Sequence, residues 1–125
     1  MILGFRGLET NIDLSNLIIN LANKSEITSL FRESRLSSYP QIKGGVTYMD
    51  KLFYGCKASM LPEDIFDNLT FPSGGFSITC NEIFSYCEKL IKVPDLKVFK
   101  KLDATAKPST YHCFYYNLFR NCREL

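Results

Sequence analysis

The 125-residue sequence predicts an α/β fold, a solenoid of short parallel strands and short helices with an irregular repeat length. Three observations predict it. The first is a phrase that returns four times: an aliphatic residue, Phe, two variable residues, then a small or sulfur-bearing residue. Its copies are Leu30-Phe31-Arg32-Glu33-Ser34, Leu52-Phe53-Tyr54-Gly55-Cys56, Ile83-Phe84-Ser85-Tyr86-Cys87 and Leu118-Phe119-Arg120-Asn121-Cys122. The second is an apolar stretch after each of the first three copies that runs into Pro40, Pro62 or Pro94. The third is spacing. The phenylalanines lie 22, 31 and 35 residues apart, inside the roughly 20–45 residues of known repeat units. A unit that recurs in sequence tends to recur in space.

The N-terminal third admits two readings. Leu14, Leu17, Ile18, Leu21 and Ala22 fit an amphipathic helix capped by Asp13. Alternatively, Asn11 to Ser15 is the strand of an earlier, degenerate repeat. The favoured arrangement is a strand at 11–14 and a helix from about 15. Residues 1–26 are therefore a degenerate repeat or capping segment. Residues 27–125 hold about four units, the last incomplete.

Within a unit, the part before the cysteine position reads as helix. Cys80, Ile83, Phe84 and Cys87 fall at i, i+3, i+4 and i+7. Thr79 is a candidate cap, with Glu82 three residues on. The part after it, such as Leu90-Ile91-Lys92-Val93 before Pro94, suits a short strand. Lys43-Gly44-Gly45 reads as a turn. Segments 67–75 and 103–110 read as loop insertions by composition. Stacked strands would make a narrow parallel sheet, with the phenylalanines as a ladder inside. The chain stops at Cys122-Arg123-Glu124-Leu125, where the other copies begin their strand. Terminal repeats normally need a polar cap. This end therefore reads as the edge of a fragment, or as a surface for self-assembly.

Composition narrows the function classes. Apolar residues make up 46% and charged residues 22%, which fits an ordered domain. Net charge is +2, and Lys97, Lys100 and Lys101 form the only tight basic group. Nucleic-acid binding has little electrostatic support. Met1 to Phe5 lacks the charged start of a signal peptide, and Arg6 interrupts the short apolar run. No stretch approaches the length of a bilayer span. Five cysteines are an odd number, so at least one thiol lies outside any internal disulfide. Cys56, Cys87 and Cys122 share one place in the phrase, where the remaining copy has Ser34. Such a position wants a small buried side chain.

Catalytic and metal-binding readings are weak. Structural zinc wants ligand pairs two to four residues apart, and the five cysteines offer none. His112 is the single histidine, and no flanking signature makes it the base of a thiol nucleophile. Glu63-Asp64 sits on an expected solvated turn. Gly44-Gly45 and Gly74-Gly75 lack the spacing of a phosphate loop. No cofactor, metal or catalytic residue is therefore expected. Tyrosines are more informative, because seven cannot all be buried. A rigid array of exposed tyrosines offers contact area at low entropic cost. The candidate partner-binding residues are Ser38, Ser59, Ile91 and Lys92 on the strand segments, with Tyr86 and Tyr115.

The run Tyr111 to Leu125 resembles the BspA-like leucine-rich repeats of Bacteroidetes and related surface proteins. Ile83-Phe84-Ser85-Tyr86-Cys87-Glu88-Lys89-Leu90 followed by Val93-Pro94-Asp95-Leu96 is similar to the same pattern. Leu52-Phe53-Tyr54-Gly55-Cys56 matches its centre. Ile12-Asp13-Leu14-Ser15 and Ile27-Thr28-Ser29-Leu30-Phe31 are similar to a sister variant. The resemblance covers residues 27–125, and 8–26 only weakly. Ser34 in place of the first cysteine departs from the pattern. So do Ala58-Ser59 where a leucine is expected, and Leu or Ile before each Phe. The resemblance implies a leucine-rich-repeat-like solenoid. It also implies a non-enzymatic module for protein or glycan recognition or adhesion, at a cell surface or secreted. Similar repeats occur in phages, so a structural or assembly part of a particle is the alternative. The missing signal peptide leaves a virion or cytoplasmic location open.

Overall fold

A computed structural model describes residues 4–71, 77–99, 112–114 and 117–125. Seven strands are assigned: β1 (Glu9–Thr10), β2 (Ile18–Glu26), β3 (Arg35–Leu36), β4 (Gln41–Tyr48), β5 (Leu69–Thr70), β6 (Ser77–Thr79) and β7 (His112–Phe114). They form two parallel sheets. The smaller pairs β1 with β3. The larger runs β2-β4-β6-β7, with β5 also against β4. β5 meets β4 at Gly44 and Gly45, and β6 meets its end at Tyr48. From β1 to β4 the chain alternates between the two sheets, and β5, β6 and β7 all lie in the larger one.

Between passes, the repeated phrase folds as a row of turns. Leu30, Arg32 and Ser34 each donate their N–H to the carbonyl three residues earlier, as do Leu52, Tyr54 and Cys56. The alternate residues donate outward to the next row. Ile27, Ser29, Phe31 and Glu33 bond the carbonyls of Tyr48, Asp50, Leu52 and Tyr54. Met49, Lys51, Phe53 and Gly55 bond those of Thr79, Asn81, Ile83 and Ser85. Phe84 and Tyr86 bond those of Leu118 and Arg120. Left-handed residues recur two before and two after each phenylalanine. They are Ser29 and Glu33, Lys51 and Gly55, Glu82 and Tyr86, and Asn117 and Asn121, with φ between 47° and 66°. A positive φ at the third residue of a turn marks type II geometry. Glycine takes that conformation at no steric cost, and Gly55 fills one such place. Phe5-Arg6-Gly7 starts an earlier row. Gly7 has φ 71°, and its N–H bonds the Arg32 carbonyl at 2.8 Å.

The expected α/β solenoid of helices and strands is thus corrected. The described residues contain no α-helix, only a single 3-10 turn at Lys97–Phe99, and the sheets are open and parallel. The physical reason lies in backbone bonding. A helix would use every N–H internally at i−4, whereas here every second N–H knits one row to the next. Cys80, Ile83, Phe84 and Cys87 are all buried as their spacing demands, but turns rather than a helix deliver them. The strand expected at 11–14 is absent, and the helix expected from 15 is β2. The strand expected at 90–93 is absent as well. There, Leu90 is buried and the Ile91 N–H bonds the Ser59 carbonyl at 2.9 Å. Gly44-Gly45 is not a turn but the middle of β4, and Leu69–Thr70 of the expected loop is β5. Segment 103–110 and Gly74-Gly75 lie outside the described residues.

The ladder forms the core. Phe31, Phe53 and Phe84 are essentially fully buried. Phe31 stacks on Phe53 at 5.3 Å and 11° between planes. Phe53 stacks on Phe84 at 5.9 Å and 3°, and Phe84 on Phe119 at 5.6 Å and 4°. Phe66 closes the side, edge-on to Phe53 and to Phe84 at 6.0 Å. Such pairs add about 0.5–1.5 kcal/mol each beyond the area they bury. Small polar side chains bond backbone beside the ladder. Cys87 Sγ donates to the Phe53 carbonyl at 3.0 Å, and Cys122 Sγ to the Phe84 carbonyl at 2.9 Å. Ser34 Oγ donates to the Phe31 carbonyl at 2.6 Å. A hydroxyl or a thiol can serve here because each is compact and carries a donor.

Candidate functional site

Two neighbouring passes leave a groove of about 460 Å³ between segments 37–42 and 60–68. Both segments carry a proline, Pro40 immediately before β4 and Pro62, and each lacks an N–H for sheet pairing at its own position. The floor is apolar. Tyr39, Ile42, Leu61 and Ile65 line the groove and are buried. The rim is polar, with Ser15, Ser37, Ser38, Gln41 and Asn68. Met60 stands at the edge and is 54% exposed. Asp64 is the one charged side chain among the described residues that line the groove.

Each wall is held by identifiable bonds. Ser38 Oγ accepts the Leu14 N–H at 2.7 Å and donates to Asp13 Oδ1 at 3.1 Å. Ser15 also donates to Asp13, from its N–H at 2.9 Å and its hydroxyl at 2.6 Å. The hydrogen bonds from Ser15, then that from Ser38, hold the Asp13 carboxyl below the ordinary aspartate range. The Gln41 N–H bonds the Leu17 carbonyl at 2.9 Å. Tyr39 turns its hydroxyl inward, 3.0 Å from Cys56 Sγ and 3.1 Å from Ser34 Oγ. Its ring packs edge-on to Phe31 at 5.2 Å and 81°. Burial, followed by the neighbouring Cys56, pushes the phenol pKa well above the ordinary tyrosine value. On the far wall, the Ile65 N–H bonds the Pro62 carbonyl, and Asp67 bonds that of Asp64.

The expected contact residues do not form one site. Ser38 lines the groove. Ser59 is exposed next to Met60 and joins Ile91 through the backbone bond given above. Ile91 is 56% exposed, and Lys92 pairs with Glu63 at 3.1 Å. Tyr86 belongs to the turn rows instead. Its ring lies 5.2 Å from that of Tyr54, and the Arg120 guanidinium sits 5.6 Å from its centre. Arg32 lies over Tyr54 at 4.6 Å, so the outer face of the turns carries a stripe of Arg32, Tyr54, Tyr86 and Arg120. Tyr115 lies outside the described residues.

Met60, Asp64 and Asn68 join Ser38 only because two passes of unequal length run side by side. The phrase that marks the repeats does not reach them. Thiol chemistry has little footing in the ladder. Burial pushes the Cys87 thiol well above the ordinary cysteine value and Cys122 upward too, which disfavours the reactive thiolate. No helix among the described residues is long and apolar enough to cross a membrane. Comparison of the chain with family models, with curated proteins and with solved structures returned no match.

Proposed function

We propose that this chain is a non-enzymatic module that recognises a protein partner through the groove between segments 37–42 and 60–68. One observation carries the reading: a concave site on a rigid backbone, with an apolar floor and a polar rim. Recognition sites have this composition, mostly apolar with a few placed polar groups. The rigidity comes from the rows of turns, whose bonded backbone and stacked phenylalanines lie directly behind the floor. A preorganised surface loses little entropy on binding. The likeness of the repeat phrases to BspA-like repeats supports the same class of role.

Ser37 offers the test. It lines the groove, it is exposed, its N–H bonds the Thr10 carbonyl at 3.1 Å, and its hydroxyl has no hydrogen-bond partner among the described residues. Ser37→Trp should fill the groove and leave the fold intact. Binders would be selected from a displayed library of random peptides and their affinities measured by calorimetry. We expect Ser37→Trp, with an unchanged circular dichroism spectrum, to weaken them more than tenfold. Binders that hold the filled variant equally well would place recognition elsewhere on the surface.

A further inference from the structure

The groove has a charge signature that the general reading does not use. Asp64 is exposed on the far wall, and Asp13 is bonded to Ser15 and Ser38 on the near one. Neither has a basic group within ion-pair distance among the described residues, although other carboxylates nearby do. Glu63 is paired with Lys92, and Asp67 with Lys97. Asp64 therefore lines the groove, and Asp13 lies behind its near wall, without a counter-cation among the described residues.

Resting on the proposed recognition role, we infer that the groove takes an extended peptide segment that places a Lys or Arg side chain at Asp64 and an apolar side chain against Met60. Charge complementarity selects the cation, since a basic side chain meets an opposite charge and hydroxyl or amide acceptors from Ser37, Gln41 and Asn68. Met60 selects the apolar neighbour. Its thioether is flexible and polarisable and adapts to varied side chains. A sugar fits less well, because the tyrosine that lines the groove is 4% exposed and offers no ring face for stacking.

The peptides selected above supply the probe. Their sequences would be read, and their affinities measured on the unaltered chain, on Asp64→Asn and on Met60→Ser. The inference predicts enrichment of Lys or Arg beside an apolar residue. Asp64→Asn should weaken those peptides about two- to fivefold, the span of an exposed ion pair. That loss should shrink as salt is raised. Binders without basic residues, sensitive to Met60→Ser but not to Asp64→Asn, would overturn the charge assignment and leave the recognition role standing. Peptides insensitive to both changes and to Ser37→Trp would overturn both. Binding on a glycan array that Ser37→Trp abolishes, with no peptide selected, would overturn the peptide assignment in favour of a sugar.

Discussion

Phe84 sits between two stacked rings and edge-on to a third, with about 1% of its surface exposed. Its phrase neighbour Tyr86 is half-buried on the outer face and meets Tyr54 and Arg120. The two should respond differently to truncation. Phe84→Ala leaves a cavity inside the ladder and should cost about 3–5 kcal/mol. Tyr86→Ala removes one exposed aromatic contact and should cost about 1 kcal/mol or less. Denaturant titration of both variants measures the difference, and equal losses would contradict a load carried by the ladder. At this scale much was legible. The recurrence of Phe with Cys or Ser three residues on places all four phrase phenylalanines in the core; Phe31, Phe53 and Phe84 are buried there, whereas Phe119 stacks on Phe84 but is 40% exposed. The earlier row at Phe5 was missed. Its signal is faint, since the phrase there is cut to Phe5-Arg6-Gly7, with a glycine where Gly55 stands two places after Phe53. The Tyr54–Tyr86 contact was also hidden, because these residues occupy different places in their phrases and meet only once the rows are stacked.

Elements were harder to read than residues. A spacing of i, i+3, i+4 and i+7 describes a helix face, but successive type II turns with i to i+3 bonds bury the same positions. Backbone conformation separates the two, and the seven non-glycine residues with positive φ in the described turn rows include Ser, Lys, Glu and Tyr, which give no compositional warning. Glycines misled in the opposite direction. Gly44 lies within β4 with φ 122°, and an added Cβ would overlap the Leu21 carbonyl oxygen of β2. Glycine is present because two parallel strands approach closely there, not because the chain reverses. Gly44→Ala should therefore separate β2 from β4. A loss of about 3 kcal/mol or more in thermal or denaturant unfolding is expected from strain plus overpacking. A neutral effect would contradict the register Leu21↔Gly44. The outer strand β2 also carries a register shift between Leu21 and Ser25, and Lys24 has φ 65°. Irregularity and a lysine on an edge are devices that discourage pairing with foreign strands. That favours the groove over β2 as a docking surface.

For the whole molecule, parallel passes of unequal length have one consequence that local patterns cannot express. Their shared rows keep the phenylalanines in line, while the extra residues bulge beside them and shape a concave wall. Ser38 was legible as a surface residue after the first phrase. Its neighbours across the groove, Met60, Asp64 and Asn68, were not, because they lie 22 to 30 positions further along the chain and only the packing of one pass against the next brings them near. Ser59, Ile91 and Lys92 belong to an expected strand face that does not form. In the proposed role the ladder is the scaffold and the groove the recognition surface. The most direct measurement is a map of backbone amide shifts by nuclear magnetic resonance as a selected peptide is added. The account predicts that the largest changes fall on Ser37, Ser38, Gln41, Met60, Asp64 and Asn68, with the Tyr54–Tyr86 stripe unmoved. Shifts centred on that stripe, or spread along β2 with the groove silent, would contradict it.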